Sequence, residues 1–372
     1  MDVSTETLAA RPCLAQVGRH RMLALIALKN LLLNLLTLTI YRFWGKTRVR
    51  QYLWGTTCFL GDPLEYTGTG AELFIAFLFV MFAVLLPLGF VTQILPQLLS
   101  PDHLLVKAIP IVSFPVIVWL IGLAIYRAWR YRLTRTRWRG IRAGLTGAGW
   151  RFGLLYLGFY LLLLLTLGLT YPWMQVRLFG RMMRETVLGS EGFRFEASAL
   201  PLYVPFLLSL LLTALLFVAL AILGVVTMPF LGGVMVLLAG DDVGQDPVRL
   251  FILGVAFYAV VLVLLPPLLA LSFSVYKARE LMVLAEGIRF QDARFAFDVR
   301  ARDVIRLHVG NWVILFLTLG FGLPLTQLRN FRFLCNGLRL IGEVDAAAIG
   351  QAKGWVPGVG EGLAEAFDLG AV

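Results

Sequence analysis

The hydrophobic positions of the chain are concentrated in seven long apolar runs. They cover residues 22–41, 71–95, 104–128, 152–173, 200–227, 250–276 and 309–325. A helix needs about 20 apolar residues to cross a hydrocarbon layer of about 30 Å, and most of these runs reach that length. The pattern predicts an all-α polytopic membrane protein.

The connections between these runs differ in charge. Five are rich in Lys and Arg, at 42–50, 127–142, 177–184, 277–306 and 329–339, whereas the two at 96–103 and 240–247 carry aspartates. Basic loops favour the cytoplasmic side, so seven alternating spans would leave several of them on the wrong side. We therefore predict four full spans and three short re-entrant segments, at 22–41, 152–173 and 309–325. The alternative is that some or all of these three segments cross the membrane.

The three short segments end in related sequences. TLTIYRFW (37–44), TLGLTYPW (166–173) and TLGFGLPL (318–325) align without gaps, and an arginine follows four residues later in each, at Arg48, Arg177 and Arg329. A fourth copy, IYRAW (125–129), repeats IYRFW (40–44). Thr, Gly and Pro weaken a continuous helix. The self-similarity indicates a duplicated unit.

Short strand-like patterns of glycine and aromatic residues recur after these exits. They are GDPLEY (61–66), GWRF (149–152), GFRF (192–195) and, more loosely, DARFAF (292–297). The first copy predicts a hairpin that turns at Gly61 and Asp62, followed by a helix that Thr69 and Glu72 cap. We expect small cytoplasmic β-hairpins beside the helices.

The repeats predict five regions. These are a polar segment (1–21), a first module with a short apolar element and two spans (22–150), a second such module (151–308), a third short element (309–350) and a flexible tail rich in Gly and Ala (351–372). Parallel repeats of this kind are common in transporters, although proteins that transport nothing also contain them.

The composition supports a membrane protein. Hydrophobic residues make up 59% of the chain and charged residues 15%, and the mean hydropathy is +0.82. Soluble domains contain about 25% charged residues. The net charge of +11 comes from Lys and Arg just beyond the apolar runs, so we expect no nucleic-acid partner. Cys13, Cys58 and Cys335 have no CxxC spacing, which favours free thiols over a disulfide or zinc site.

Residues 30–74 resemble the YjgN-like proteins, a bacterial inner-membrane family of unknown function. The resemblance is carried by Tyr41, Trp44, Lys46, Arg48, Arg50, Tyr52, Trp54, Gly55, Gly61, Tyr66, Gly68, Gly70 and Glu72. Weaker copies at 166–195 and 318–342 extend it over most of the chain. It implies a bacterial inner-membrane location and brings no established activity.

The sequence offers no catalytic constellation. His20, His103 and His308 are isolated in different loops, and neither an HExxH nor a Walker A motif is present. We therefore expect a protein that is not an enzyme and has no cofactor or metal. Lys29 is the one cation well inside an apolar segment, away from its ends, and it is the candidate intramembrane polar residue. Either it snorkels to the headgroups or it contacts a substrate or lipid phosphate.

Tryptophans and arginines at the helix exits are the candidate functional residues. Trp prefers headgroup depth, and a cytoplasmic Lys or Arg gains roughly 1 kcal/mol near anionic lipid. The candidate contacts for an anionic lipid headgroup or anionic solute are Trp44, Arg48, Arg50, Trp129, Arg132, Trp173, Arg177, Arg181 and Arg329. The alternative is that they only anchor and orient the protein.

Two functions fit these patterns. The repeat, the broken helices and the short segments favour a channel or permease for a small solute, which is the preferred prediction. The arginine and tryptophan exits and the scarcity of intramembrane charges favour a non-catalytic scaffold or anionic-lipid-binding protein. Membrane lipids are the expected partners, and a homo-oligomer is a further expectation.

Overall fold

The computed structural model describes residues 10–239 and 247–351, so most of the predicted tail at 351–372 lies outside the described residues. The described helices are α1 His20–Leu36, α2 Arg42–Gly55, α3 Gly70–Leu98, α4 Leu104–Thr134, α5 Gly149–Leu165, α6 Tyr171–Glu185, α7 Leu200–Ala239, α8 Pro247–Glu286, α9 Ala301–Leu317 and α10 Leu323–Gly337. The described strands are β1 Arg11–Pro12, β2 Leu14–Gln16, β3 Thr57–Phe59, β4 Asp62–Tyr66, β5 Thr136–Trp138, β6 Ile141–Leu145, β7 Thr186–Leu188, β8 Glu191–Phe195, β9 Ile288–Phe290, β10 Ala293–Phe297 and β11 Leu338–Ile341. These residues fall into two compact units. The first unit contains the described residues within 1–199, 282–298 and 318–372, and the second unit contains those within 200–281 and 299–317.

Four of the described helices contain a stretch long and apolar enough to span a membrane. The stretches are Gly70–Leu98, Leu104–Thr134, Leu200–Thr227 and Ala259–Glu286, and each overlaps one of the four predicted spans. Many of their Leu, Ile, Val and Phe side chains are exposed, which is stable in hydrocarbon and not in water. The chain is an integral membrane protein.

Prolines interrupt α3 without ending it. A π-helical turn at Met81–Leu85 precedes Pro87, and another at Phe90–Ile94 precedes Pro96. Proline cannot donate a backbone hydrogen bond and its ring crowds the preceding turn, and a wider turn relieves that conflict. The helix therefore stays long enough to span the membrane.

The strands form one antiparallel sheet, which contradicts the predicted all-α fold with small separate hairpins. The strand order is β1-β11-β10-β9-β8-β7-β6-β5-β4-β3-β2. Only Cys13 separates β1 from β2, so residues 11–16 pair with β11 through Arg11 and Leu340 and with β3 through Leu14 and Phe59. These pairings close the sheet into a nearly complete barrel, here called the strand ring.

Strands β3 to β11 of the strand ring each follow a helix along the chain, whereas β1 and β2 precede α1. Hairpins β3–β4, β5–β6, β7–β8 and β9–β10 come after α2, α4, α6 and α8, and β11 comes after α10. Neighbouring hairpins pair with one another through β4 and β5, β6 and β7, β8 and β9, and β10 and β11. A single hairpin is marginally stable. The ring therefore stabilises parts that could not persist alone.

Apolar side chains from β2 to β11 meet in one cluster that the strand ring surrounds. Its buried members are Cys13, Trp138, Phe290, Ala293, Phe295, Leu340 and Ile349, and half-buried residues such as Phe59, Leu64, Ile141, Leu188 and Phe193 pack against them. The indole Nε1 of Trp138 donates a 3.0 Å hydrogen bond to the carbonyl of Phe59. The interior of the ring is therefore a packed core.

The first hairpin exists as predicted, but its turn lies one residue earlier. Leu60 and Gly61 are the turn residues, with φ of +52° and +95°. Two positive φ values are typical of a type I′ turn, whose twist matches that of the flanking strands. The prediction of a strand at GWRF (149–152) is wrong, because these residues lie at the start of α5 and the strand of that hairpin is β6. Four residues are too few to distinguish the periodicity of a helix from that of a strand.

The three aligned TL sequences fold into the same turn. The Thr Oγ1 accepts a hydrogen bond from the backbone N–H four residues later, in the pairs Thr37 and Tyr41 (2.9 Å), Thr166 and Thr170 (3.4 Å), and Thr318 and Gly322 (2.8 Å). The two residues after each Thr have positive φ: Leu38 and Thr39, Leu167 and Gly168, and Leu319 and Gly320. The repeat in sequence is therefore a repeat in structure.

The first two of these turns join antiparallel helices. In the first pair, Nδ2 of Asn30 in α1 donates to the carbonyl of Gly45 in α2 at 3.1 Å. In the second pair, the rings of Phe159 and Trp173 lie 4.9 Å apart, so α5 and α6 also run side by side. Both pairs leave the strand ring and return to it. The leucines at the three turns are almost fully exposed, at 84% for Leu38, 93% for Leu167 and 84% for Leu319.

Thr39 is the one β-branched residue at the positive-φ positions of these turns. Its φ is +72°, whereas the aligned positions hold Gly168 (+91°) and Gly320 (+87°). L-residues with a side chain are strained in this region and glycine is not. We expect Thr39→Gly to raise the free energy of unfolding by about 1 kcal/mol and Gly168→Thr to lower it by about as much. Thermal unfolding in detergent, followed by circular dichroism, checks both. A lower midpoint for Thr39→Gly would contradict the assigned strain.

Candidate functional site

The predicted arginine and tryptophan candidates separate onto different faces of the first unit. Arg48 and Arg50 are two residues apart on α2, so their side chains point about 200° apart around the helix. Arg48 is exposed and Arg50 is half-buried. A single basic run in the sequence therefore supplies an outer surface and an inner cavity.

The outer candidates occupy equivalent positions in the first two repeats. The guanidinium of Arg48 lies 5.5 Å from the ring centre of Tyr41, and that of Arg177 lies 5.8 Å from the ring of Trp173. Trp44 is half-buried against Phe74, with ring centres 5.7 Å apart. Cations beside aromatic rings at the surface suit the headgroup region of a bilayer.

Three other candidates do not join either group. Arg181 forms an ion pair with Glu185, with Nε 2.5 Å from Oε1, and the Tyr126 hydroxyl donates to the same carboxylate at 2.5 Å. Arg329 is half-buried on α10. Lys29 is exposed on α1. Of these three, Arg181 has a structural role, since its partner Glu185 is largely buried and needs a cation.

A cavity of about 670 Å³ brings Arg50, Trp129 and Arg132 together. It lies between α2, the end of α4 and α10, and we call it the first cavity. The other lining residues are Leu53, Trp54, Leu133, Thr136, Leu323, Thr326, Gln327, Asn330, Phe331 and Leu334. Most of the lining is apolar or aromatic, with the two guanidinium groups as its formal charges.

Aromatic contacts hold the walls of the first cavity. The indole Nε1 of Trp54 donates to Oγ1 of Thr136 at 2.9 Å, and its ring lies 5.1 Å from that of Phe331. The Arg132 guanidinium lies 5.2 Å from the ring of Trp129. Nη1 of Arg50 donates to the Tyr66 hydroxyl at 3.4 Å. Both cations are thus positioned by neighbouring rings.

A smaller cavity of about 350 Å³ adjoins the first. It lies between α1, α2 and the start of α10, and it shares Leu323 and Gln327 with the first cavity. We call it the second cavity. Arg42 and Lys46 line it from α2. Among the described residues that line either cavity, none is an Asp or Glu, so the formal charges around both cavities are positive and attract anionic groups.

The comparison with known families covers nearly the whole chain. DUF898, a family of bacterial proteins of unknown function, matches residues 14–366. The chain belongs to the DUF898 family. The resemblance to the YjgN-like proteins is confirmed, because the two names denote one family. No curated protein and no solved structure matches the chain.

Two asparagines line the second cavity of this DUF898 protein. Asn30 is 7% exposed, and its amide Nδ2 donates to the carbonyl of Gly45. The Oδ1 atoms of Asn30 and Asn34 are buried and accept no hydrogen bond from the residues that the structure describes. The spacing of four residues in NLLLN (30–34) places both amides on one helix face, which is a signal that the sequence analysis missed.

The DUF898 chain has three free cysteines. Cys13 and Cys335 are buried, and burial raises the pKa of each thiol to about 11. They are therefore protonated at neutral pH, and thiols in that state are poor metal ligands. Within residues 10–239 and 247–351, no group of three or more His, Cys, Asp or Glu is placed to hold a metal ion.

Proposed function

We propose that this DUF898 protein resides in the bacterial inner membrane and binds an anionic lipid in the first cavity. The observation that carries the proposal is that Arg50 and Arg132 both line one largely apolar cavity of about 670 Å³. Ligand cavities are commonly about 300–1,000 Å³. Arginine presents a planar fork of donors that matches the oxygens of a phosphate. The apolar walls suit the first part of the acyl chains.

The arrangement of the short helix pairs supports a membrane-embedded site. A helix of 17 residues such as α1 or α5 is about 25 Å long, and each is followed by a turn with an exposed leucine. An apolar tip is stable in hydrocarbon. We propose that these pairs enter the bilayer and return, with the basic helices and the strand ring on the cytoplasmic side.

The lipid proposal is tested by the retention of lipid. Arg50→Ala with Arg132→Ala should reduce the phosphatidylglycerol that stays bound after detergent extraction by about a hundredfold, because two charge-assisted contacts to the phosphate are lost. Native mass spectrometry measures the retained lipid. The matched control is Arg48→Ala with Arg177→Ala, which removes the same charge from the outer surface and should change retention less than about twofold.

Two results would overturn the lipid proposal. One is equal loss of lipid in both double variants, which would mean that total charge and not the cavity holds the lipid. The other is unchanged retention in the cavity variant. Circular dichroism on both variants separates a loss of lipid from a loss of fold, and Arg50→Lys with Arg132→Lys should restore part of the binding by charge alone.

A permease for a small solute is the second candidate function. The observation in its favour is that Leu323 and Gln327 line both cavities, so that two cationic cavities lie next to each other between the helices. The packed core of the strand ring favours a path between helices over one through the ring. A flux of small anions into liposomes would support a permease if Leu323→Trp abolishes it. A leak of the same size in the wild type and in this variant would contradict a permease.

A further inference from the structure

The two asparagine amides of the second cavity lack the donors that their oxygens need. Nδ2 of Asn30 faces the carbonyl of Gly45, and a carbonyl can only accept a hydrogen bond. The amide orientation is therefore determined by its partner, and Oδ1 is the atom left without one. The Oδ1 atom of Asn34, one helical turn further along α1, is a second buried acceptor without a donor.

Buried acceptors without a donor destabilise a fold, and native proteins contain few of them. Asn30 is more than nine-tenths buried, and both asparagines line the second cavity. A ligand that carries hydrogen-bond donors would satisfy them. An ammonium group fits best, because it offers three donors and a charge, and two amide oxygens can share it.

Cations line the same cavity from the neighbouring helix. Arg42 and Lys46 are one turn apart on α2, which runs antiparallel to α1. The cavity therefore presents oxygens from one helix and positive charges from the other. A ligand complementary to both carries an ammonium and an anionic group close together.

We infer that the second cavity binds an ethanolamine phosphate group, with the ammonium at Asn30 and Asn34 and the phosphate at Lys46 and Arg42. The inference concerns a separate cavity and does not require lipid in the first one. The group has two sources: the headgroup of phosphatidylethanolamine, and soluble O-phosphoethanolamine. The chemistry at the cavity is the same for both.

Soluble ligands test the chemistry. We expect O-phosphoethanolamine to raise the thermal unfolding midpoint of the protein in detergent, and inorganic phosphate or ethanolamine alone to have little effect, because each satisfies half of the site. Asn34→Leu should weaken the affinity by about tenfold, the loss expected for one charge-assisted hydrogen bond. The same variant should be more stable than wild type without ligand, since it removes a buried unsatisfied oxygen.

A structural role for Asn34 predicts the opposite stability change, which separates it from a binding role. Asn336→Leu is the matched control, because Asn336 is exposed on α10 and lines neither cavity. It should leave the ligand response unchanged. Asn30→Leu is the second variant, although it also removes the bond to Gly45.

Native mass spectrometry from nanodiscs distinguishes the two sources. If phosphatidylethanolamine is retained in preference to phosphatidylglycerol and Asn34→Leu abolishes the preference, the headgroup is the ligand, even when the soluble compound is inert. The inference is overturned if neither form binds, if phosphate alone stabilises as well as O-phosphoethanolamine, or if Asn34→Leu leaves affinity and preference unchanged. Arg50→Ala with Arg132→Ala should keep this binding, so a failure of the first-cavity proposal is recognised separately.

Discussion

Replacing Trp138 with alanine is expected to lower the free energy of unfolding by about 3–5 kcal/mol, the usual range for removing a large aromatic side chain from a core. Trp138 is 2% exposed at the centre of the strand ring. The change removes its edge contact with the ring of Phe59, at 5.2 Å, and the hydrogen bond from Nε1 to the Phe59 carbonyl. Thermal unfolding in detergent, followed by circular dichroism, measures the loss.

Trp150→Ala is the matched control for this prediction. Trp150 is 52% exposed near the start of α5, so the same truncation there leaves no cavity and should change stability by less than about 1 kcal/mol. If the two variants lost stability equally, the ring would not be the packed core that the structure describes.

Gly153→Val is expected to be the second strongly destabilising change, by about 3 kcal/mol. Gly153 in α5 faces α4, and a Cβ there would lie 2.8 Å from the carbonyl oxygen of Trp119 and 2.9 Å from its side chain. Gly122 in α4 faces α5 at the same crossing, where a Cβ would lie 2.6 Å from Tyr156. A larger side chain forces these helices apart, which is the cost of overpacking.

Gly158→Val on the same helix isolates this packing effect. Nothing lies within 4 Å of a Cβ added at Gly158. Both variants change helix propensity equally, so the difference between their unfolding midpoints measures the helix–helix contact. A difference near zero would mean that α4 and α5 can separate without loss of stability, which would contradict their close contact at Gly153 and Gly122.

Local patterns were sufficient for the spans and the turns. Apolar length identified Gly70–Leu98 and Leu104–Thr134, because the bilayer thickness fixes how many residues must be apolar. The three TL turns were visible because a Thr cap and two positive-φ positions constrain adjacent residues. Thr69 also caps α3 as predicted, accepting from the N–H of Glu72 at 3.3 Å.

The strand ring and the cavities could not be read from the sequence in the same way. Each hairpin has a local signal in the sequence. The pairing of β6 with β7, or of β1 with β11, joins residues far apart in the chain and produces no hydrophobic periodicity that the sequence would show. The faces of the helices were missed for a similar reason. Lys29 drew attention by its charge, yet Asn30, about 100° further around α1, is the buried polar residue.

Closure of the strand ring constrains how the protein can be assembled during translation. Residues 11–16 are synthesised long before β11, the partner of Arg11, which comes almost at the end of the described chain. Contacts between such distant segments form slowly. Until β11 is synthesised, β10 and residues 11–12 both lack their partner strand, and an open strand edge can pair with another chain. The ring therefore closes only after β11 has been synthesised, so its packed interior is completed late in folding.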